Sequence, residues 1–204
     1  MLNKITLIDY DQTLVDAWKV EFANFQEVEA CVCDYFEIEA DAMVSPANSF
    51  GIMDGGLDRA ITYELGAIAQ DNVQEEILKK YHGELPVGCA VIVETGSNKW
   101  PYLISAPTMR VPEDVSNSVN AYLAFRAIIL EIAKHNEITK NGIKTIVCSG
   151  LGTGVGNMNP VNCARQMRMA YEHCLSPAKI PSLANIHTEH FKMRAKKGIT
   201  NSSS

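Results

Sequence analysis

Two stretches carry residue types that could act on a ligand. The first, SPANSFGIMDGGLDRAI at residues 45–61, sets Asn48 and Asp58 ten residues apart on either side of Gly55 and Gly56, in what reads as a short loop between an apolar run and a helix. An amide there can hold hydroxyl groups, and a carboxylate can take a proton. The second, SGLGTGVGNM at residues 149–158, places Gly150, Gly152, Gly154 and Gly156 ahead of Asn159 and Pro160, a helix-opening pair. Chain with so few Cβ atoms can turn several N–H groups toward one point and form an anion nest beside a helix N-terminus. A glycine connector is the plainer alternative. Each glycine adds about 0.5–1 kcal/mol of ordering entropy, however, so an alternating series of them favours the cradle.

The familiar nucleotide and hydrolase motifs do not fit these loops. A P-loop needs a Lys after its last glycine, and none follows here. A G-x-G-x-x-G fingerprint counted from Gly150 ends on Val155, and counted from Gly152 it ends on Asn157, which disfavours a dinucleotide-using α/β enzyme. No G-x-S-x-G elbow occurs, and His187 and His190 lack the H-E-x-x-H spacing of a zinc helix. No metal and no cofactor is expected.

The elements that must position these loops alternate. Apolar, β-rich runs at residues 4–8, 28–33, 41–45, 89–95, 102–106 and 144–149 are interleaved with segments of helical period at about 11–22, 57–66, 68–81, 117–135 and 160–174. Asp11, Ser116 and Asn159 are the predicted N-caps. AVIV and TIVC are apolar on both faces, which places them in the middle of a covered sheet. The expected fold is therefore α/β, a three-layer α/β/α sandwich with a mixed, largely parallel central sheet. Its ligand site should lie beyond the carboxyl ends of the strands. With 204 residues and 47% hydrophobic content, one domain over 1–195 is expected, followed by a polar, disordered tail at 196–204.

Charge and cysteine usage narrow the function classes. A formal charge of -6 and a pI of about 5.4 argue against direct nucleic-acid binding, so an anionic ligand would have to be held by backbone. The six cysteines form no C-x-x-C pair and read as reduced thiols, which points to the cytoplasm. Neither a signal peptide nor a membrane-spanning run is evident, and no membrane partner is expected.

The residues also resemble a known family, the macro domains, which bind ADP-ribose. The family's first signature, N-A-A-N-x-x-L-x-G-G-G-G-V-D-x-A-I, is similar to S-P-A-N-S-F-G-I-M-D-G-G-L-D-R-A-I in the same register without a gap. CDYFEIEADAMV resembles its G-D-I-x-x-x-x-V-D-A-I-V, GELPVGCAVIVETG its strand-entry segment, and GLGTGVG its second phosphate loop; the likeness spans about residues 28–174.

That resemblance implies ADP-ribose or an ADP-ribosylated molecule as partner. Asp34 would accept from the adenine amino group, with Tyr35 beside it; a turn residue is the alternative for Asp34. The diphosphate would lie between Gly55-Gly56 and the Gly152-Thr153-Gly154-Val155 loop, held by main-chain N–H groups, with Ala47, Leu57, Gly150 and Gly156 also in the ligand-binding set. Asn48 would hold the distal ribose, or else form an Asx-turn at the strand exit. In the family's hydrolases the aspartate matching Asp58 helps water or a ribose hydroxyl attack the anomeric carbon. A carboxylate beside phosphate would have its pKa raised by like charge, whereas the competing reading makes Asp58 a helix-start residue near the macrodipole.

Departures from the family pattern bear on catalysis. Ser45 and Pro46 replace Asn-Ala, Met53 and Asp54 replace two glycines, and Thr62 stands where many family hydrolases carry a His. Gly156 stands where many members have a Phe or Tyr, which would leave the distal end open for a larger group or simply lose a clamp on the distal ribose. Asp54 is an extra carboxylate, either acting on the attached group or simply solvated. Two readings follow from the resemblance: a hydrolase removing a group from the distal ribose (an ADP-ribosyl hydrolase, an O-acetyl-ADP-ribose deacetylase or a 1''-phosphatase), or a non-catalytic reader or sequestering module.

Overall fold

Six strands form one sheet in the computed structural model, which describes residues 2–140 and 142–194. β1 (Lys4–Ile8), β2 (Val28–Cys31), β3 (Ala42–Ser45), β4 (Val91–Glu94), β5 (Tyr102–Ser105) and β6 (Thr145–Cys148) lie in the order β2-β1-β6-β3-β5-β4. Every pairing is parallel except β4 on β5. The helices are α1 (Gln12–Glu21), α2 (Gly56–Leu65), α3 (Ile68–Tyr81), α4 (Asn120–Ile138), α5 (Pro160–Leu175) and α6 (Leu183–Arg194).

Two apolar layers flank the sheet, because its central strands are apolar on both faces. On one side Leu14 and Trp18 of α1, Phe125 and Ile128 of α4, and Cys163 and Met167 of α5 pack on Ile5, Leu7, Val44, Ile104 and Ile146. On the other, Ile61 of α2 and Val73 and Ile77 of α3 cover Met43, Val91, Leu103 and Val147. The result is the expected α/β/α sandwich.

Two caps follow the sequence directly. Asp11 accepts from the Thr13 N–H at 2.8 Å, and Asn159 accepts from the N–H groups of Val161 and Asn162 ahead of Pro160 at the first helical position.

Three expectations need correction. α4 starts at Asn120 rather than 117, and Ser116 is not its cap. The Val115 N–H is tied to the Gly156 carbonyl at 2.8 Å, the Ser118 N–H donates to the Val115 carbonyl at 2.9 Å and closes a turn over 115–118, and the Ser118 hydroxyl accepts from the Asn120 N–H instead. AVIV belongs to β4, an edge strand, not to the middle of the sheet; it is apolar because α3 and α4 cover its two faces. The second strand ends at Cys31, short of Cys33.

α6 was not anticipated. It packs beside α5 and is held at its end by polar contacts to main-chain oxygens: Gln166 Nε2 donates to Met193, Arg165 to Lys192, and Arg194 to Asn117. The expected tail at 196–204 lies outside the described residues. Among those residues no helix is long and apolar enough to cross a membrane.

Candidate functional site

At the carboxyl edge of the sheet β3 and β6 part company. They pair only at Ala42 with Ile146 and Met43 with Val147. Beyond that point the buried Tyr35 fills the gap: its hydroxyl faces the carbonyl oxygens of Val44 and Val147 at 2.7 and 2.9 Å and accepts from the Val44 N–H at 2.8 Å. Splayed strand ends in a parallel sheet are where α/β proteins open a crevice. A cleft of about 660 Å³ runs along this edge. The structure brings Asp34, Tyr35, Ala47, Asn48, Gly55, Gly56, Leu57, Asp58, Gly150, Gly152, Thr153, Gly154, Val155 and Gly156 to its lining.

The second glycine loop is built so that its donors stay open. Gly152 has φ +75°, and its carbonyl accepts from the Met158 N–H at 2.9 Å, while the Gly154 carbonyl accepts from Asn157 at 3.0 Å. The N–H groups of Thr153, Gly154 and Val155 make no hydrogen bond among the described residues. Across the cleft, α2 begins at Gly56 with Gly55 as a cap that has no side chain to offer its first N–H groups. A helix start left uncapped in a cleft is an anion site by geometry and dipole. Added Cβ atoms at Gly55, Gly56 and Gly154 would meet nothing within 4 Å, so these positions face open space along the cleft.

Gly156 behaves differently. A Cβ there would come within 2.6 Å of the Gly152 carbonyl oxygen and of Val115 Cγ2, and 3.1 Å of Met109 Cε. Its missing side chain thus makes room for Val115 and Met109, which fill the space; it does not by itself open the distal end of the cleft.

Asp58 is 8% exposed, on the first turn of α2. Its Oδ1 accepts from the Ser45 hydroxyl at 2.6 Å. Burial pushes its carboxyl up to about 6, the Ser45 hydrogen bond opposes this, and the nearby charge of Asp54 adds to it. The protein itself therefore raises this carboxyl, chiefly by desolvation, without help from a ligand phosphate.

Asn48 is engaged with its own loop. Its Oδ1 accepts from the N–H groups of Phe50 and Ile52 at 3.1 and 3.3 Å, and Nδ2 donates to the Ile52 carbonyl at 2.7 Å. This is Asx-turn geometry, one alternative the sequence left open. Asp34 caps a short 3-10 turn, accepting from Phe36 at 2.9 Å. The Thr62 hydroxyl ties α2 to the loop through the carbonyls of Asp58 and Met53.

Sequence reasoning missed Asp9, Tyr10 and Asp11 after β1, and Thr108, Met109 and Pro112 after β5, all of which line the cleft. Their signal was position alone, in the segments that follow β1 and β5. Strand order sets the cleft's polarity: Asp9, Tyr10 and Asp34 lie at the β1–β2 end, the glycine loop after β6 in the middle, and Asn48, Asp58 and Met109 at the β3–β5 end.

Comparison with known proteins agrees with this architecture. The model of the macro domain matches residues 44–167. A protein of Aeropyrum pernix is 35% identical over 137 residues, covering 67% of this chain and 66% of its own length, slightly under two thirds of that relative. An Aquifex aeolicus protein is 36% identical over 131 residues, covering 64% and 72%. Among solved structures, the macrodomain of Mycobacterium tuberculosis DarG superposes with TM-score 0.55 at 20% identity, covering 69% of this chain and 86% of that one. A variant of the Oceanobacillus iheyensis macrodomain solved with ADPR gives 0.52 at 17% identity, covering 68% and 74%. At these identities the superpositions speak for the fold, and the family match over most of the chain's length speaks for kinship: the chain belongs to the macro domain family.

Proposed function

We propose that the cleft binds ADP-ribose or a derivative and that the protein hydrolyses a group attached to the distal ribose. The observation that carries the reading is the pair of open donor sets, Thr153 to Val155 on one side and the uncapped start of α2 on the other, lining one cleft. Such a pair can hold a diphosphate without a single lysine, which suits a chain of charge -6. A relative of the same fold solved with ADPR supports the choice of ligand.

Adenine then falls at the β1–β2 end, near Asp34, and the distal ribose at the β3–β5 end, near Asn48 and Asp58. In this role Asp58 takes a proton from the attacking water or hydroxyl. A carboxyl that titrates near 6 is ionised at neutral pH yet basic enough for the task. Asn48 acts by fixing the loop between β3 and α2, since its amide is committed to main-chain partners.

The reader or sequestering alternative draws on that same commitment of Asn48, and on Thr62 serving only as a tie between backbone carbonyls. The test is incubation with ADP-ribosylated protein, O-acetyl-ADP-ribose and ADP-ribose-1''-phosphate, followed by mass spectrometry. Release of ADP-ribose from any of them by wild type, lost in Asp58→Ala, supports the hydrolase. Tight binding with no release from all of them leaves the reader.

A further inference from the structure

The side-chain charges of the cleft are all of one sign. Asp9, Asp11, Asp34, Asp54 and Asp58 line it, and no described Lys, Arg or His does. Four of these carboxylates have partners in the chain. Asp9 accepts from the N–H groups of Asp11 and Gly150, Asp11 caps α1, Asp34 caps the 3-10 turn, and Asp58 holds Ser45. Asp54 makes no hydrogen bond or ion pair among the described residues, is exposed, and sits close enough to Asp58 for its charge to be felt there.

The neighbouring cations are elsewhere engaged or off the cleft. Arg110 is doubly bonded to Glu84 at 2.6 and 3.0 Å and lies over the Phe50 ring, and Arg59 is exposed outside the lining.

The open N–H groups can neutralise a diphosphate in the middle of the cleft. Among the described residues that line the β3–β5 end there is no Lys, Arg or His side chain to neutralise a further negative charge. We propose that the group this chain accepts on the distal ribose is a cation, a guanidinium or ammonium as in an ADP-ribosylated arginine-type side chain, and that Asp54 selects it. This rests on the cleft binding ADP-ribose in the orientation given above. A terminal phosphate would face Asp54 and Asp58 without compensation, whereas a guanidinium would lie against them. Two unit charges about 7 Å apart in water change affinity by about threefold, so a cation and a dianion, three charges apart, should differ by more than tenfold for each carboxylate that faces them.

The experiment is a competition titration at low salt with ADP-ribose, ADP-ribose-1''-phosphate and ADP-ribosylated agmatine, conjugate integrity being followed by mass spectrometry. Wild type, Asp54→Asn, and Asp71→Asn on the exposed side of α3 as a control are compared. Expected is a preference for the agmatine conjugate over the phosphate of about a hundredfold or more, shrinking about tenfold in Asp54→Asn and unchanged in Asp71→Asn. If ADP-ribose binds but the phosphate derivative binds as tightly as the agmatine conjugate, or Asp54→Asn leaves the ratio where it was, the selection by charge is wrong. If ADP-ribose itself does not bind, the reading beneath it fails as well, and the first arm of the titration shows this separately.

Discussion

Replacing Asp58 with asparagine separates what the fold needs from what a reaction would need. The carboxyl is 8% exposed and rises from the ordinary 3.8 to about 6, mainly through burial. Below pH 3.8 it is protonated in folded and unfolded chains alike, and the charge has no effect on stability. As pH rises the unfolded chain ionises first, so stability falls through the window from about 4 to 6 and stays lower above it. A difference of about two pH units corresponds to roughly 3 kcal/mol at pH 8 and about 1 kcal/mol at pH 4.5. Asn keeps an acceptor for the Ser45 hydroxyl and removes the charge. Thermal melts of wild type and Asp58→Asn should therefore show the variant more stable at pH 8 by roughly 6–12 °C for a chain of this size, with the gap closing by more than half at pH 4.5. A variant less stable than wild type at both pH values, or a gap that does not change with pH, would refute the argument that burial holds this carboxyl up.

Other outcomes follow from the same geometry. Gly154→Val should keep the wild-type melting temperature, since its Cβ meets nothing within 4 Å, yet lose ADP-ribose binding by calorimetry because the branched side chain stiffens and blocks the loop. Gly156→Ala should instead destabilise the fold by about 1–3 kcal/mol in denaturant titrations, its methyl group being forced to within 2.6 Å of Val115 and the Gly152 carbonyl. Asn159→Ala removes the cap of α5 and should cost about 1 kcal/mol, read as a shift in denaturation midpoint without change of slope. If the protein is a hydrolase with Asp58 as proton acceptor, its kcat/KM should fall as pH drops through about 6, where that carboxyl becomes protonated in the free protein, and a kcat/KM that does not change between pH 5 and 8 would exclude this role.

What could be read in the sequence was local or patterned. Asp11 and Asn159 cap helices through partners within three residues, so their roles are written in adjacent positions. The two glycine loops stand at strand exits, where topology alone brings them together. Ser116 failed as a cap because the turn over 115–118 is anchored by a long-range bond from Val115 to the Gly156 carbonyl, which no local pattern reveals. β4 was misplaced because apolarity on both faces reports coverage by helices and says nothing about whether a strand has neighbours on both edges. The state of Asp58 was also hidden: its pairing with Ser45 joins a strand end to a helix start across 13 residues, and its burial comes from tertiary packing. For Asn48 the sequence allowed both ribose contact and a loop-forming turn, and the three main-chain bonds supply the second.

The most direct test of the central claim is a calorimetric titration of the wild-type protein with ADP-ribose, set beside AMP and NAD. Two open donor sets across one cleft predict saturable one-to-one binding of ADP-ribose, weaker binding of AMP, which lacks the second phosphate, and NAD weaker than or comparable to ADP-ribose. At ligand a hundredfold above the dissociation constant, folding should be stabilised by about 2.7 kcal/mol. The absence of heat and of any melting shift at millimolar ADP-ribose would contradict the assignment of the cleft.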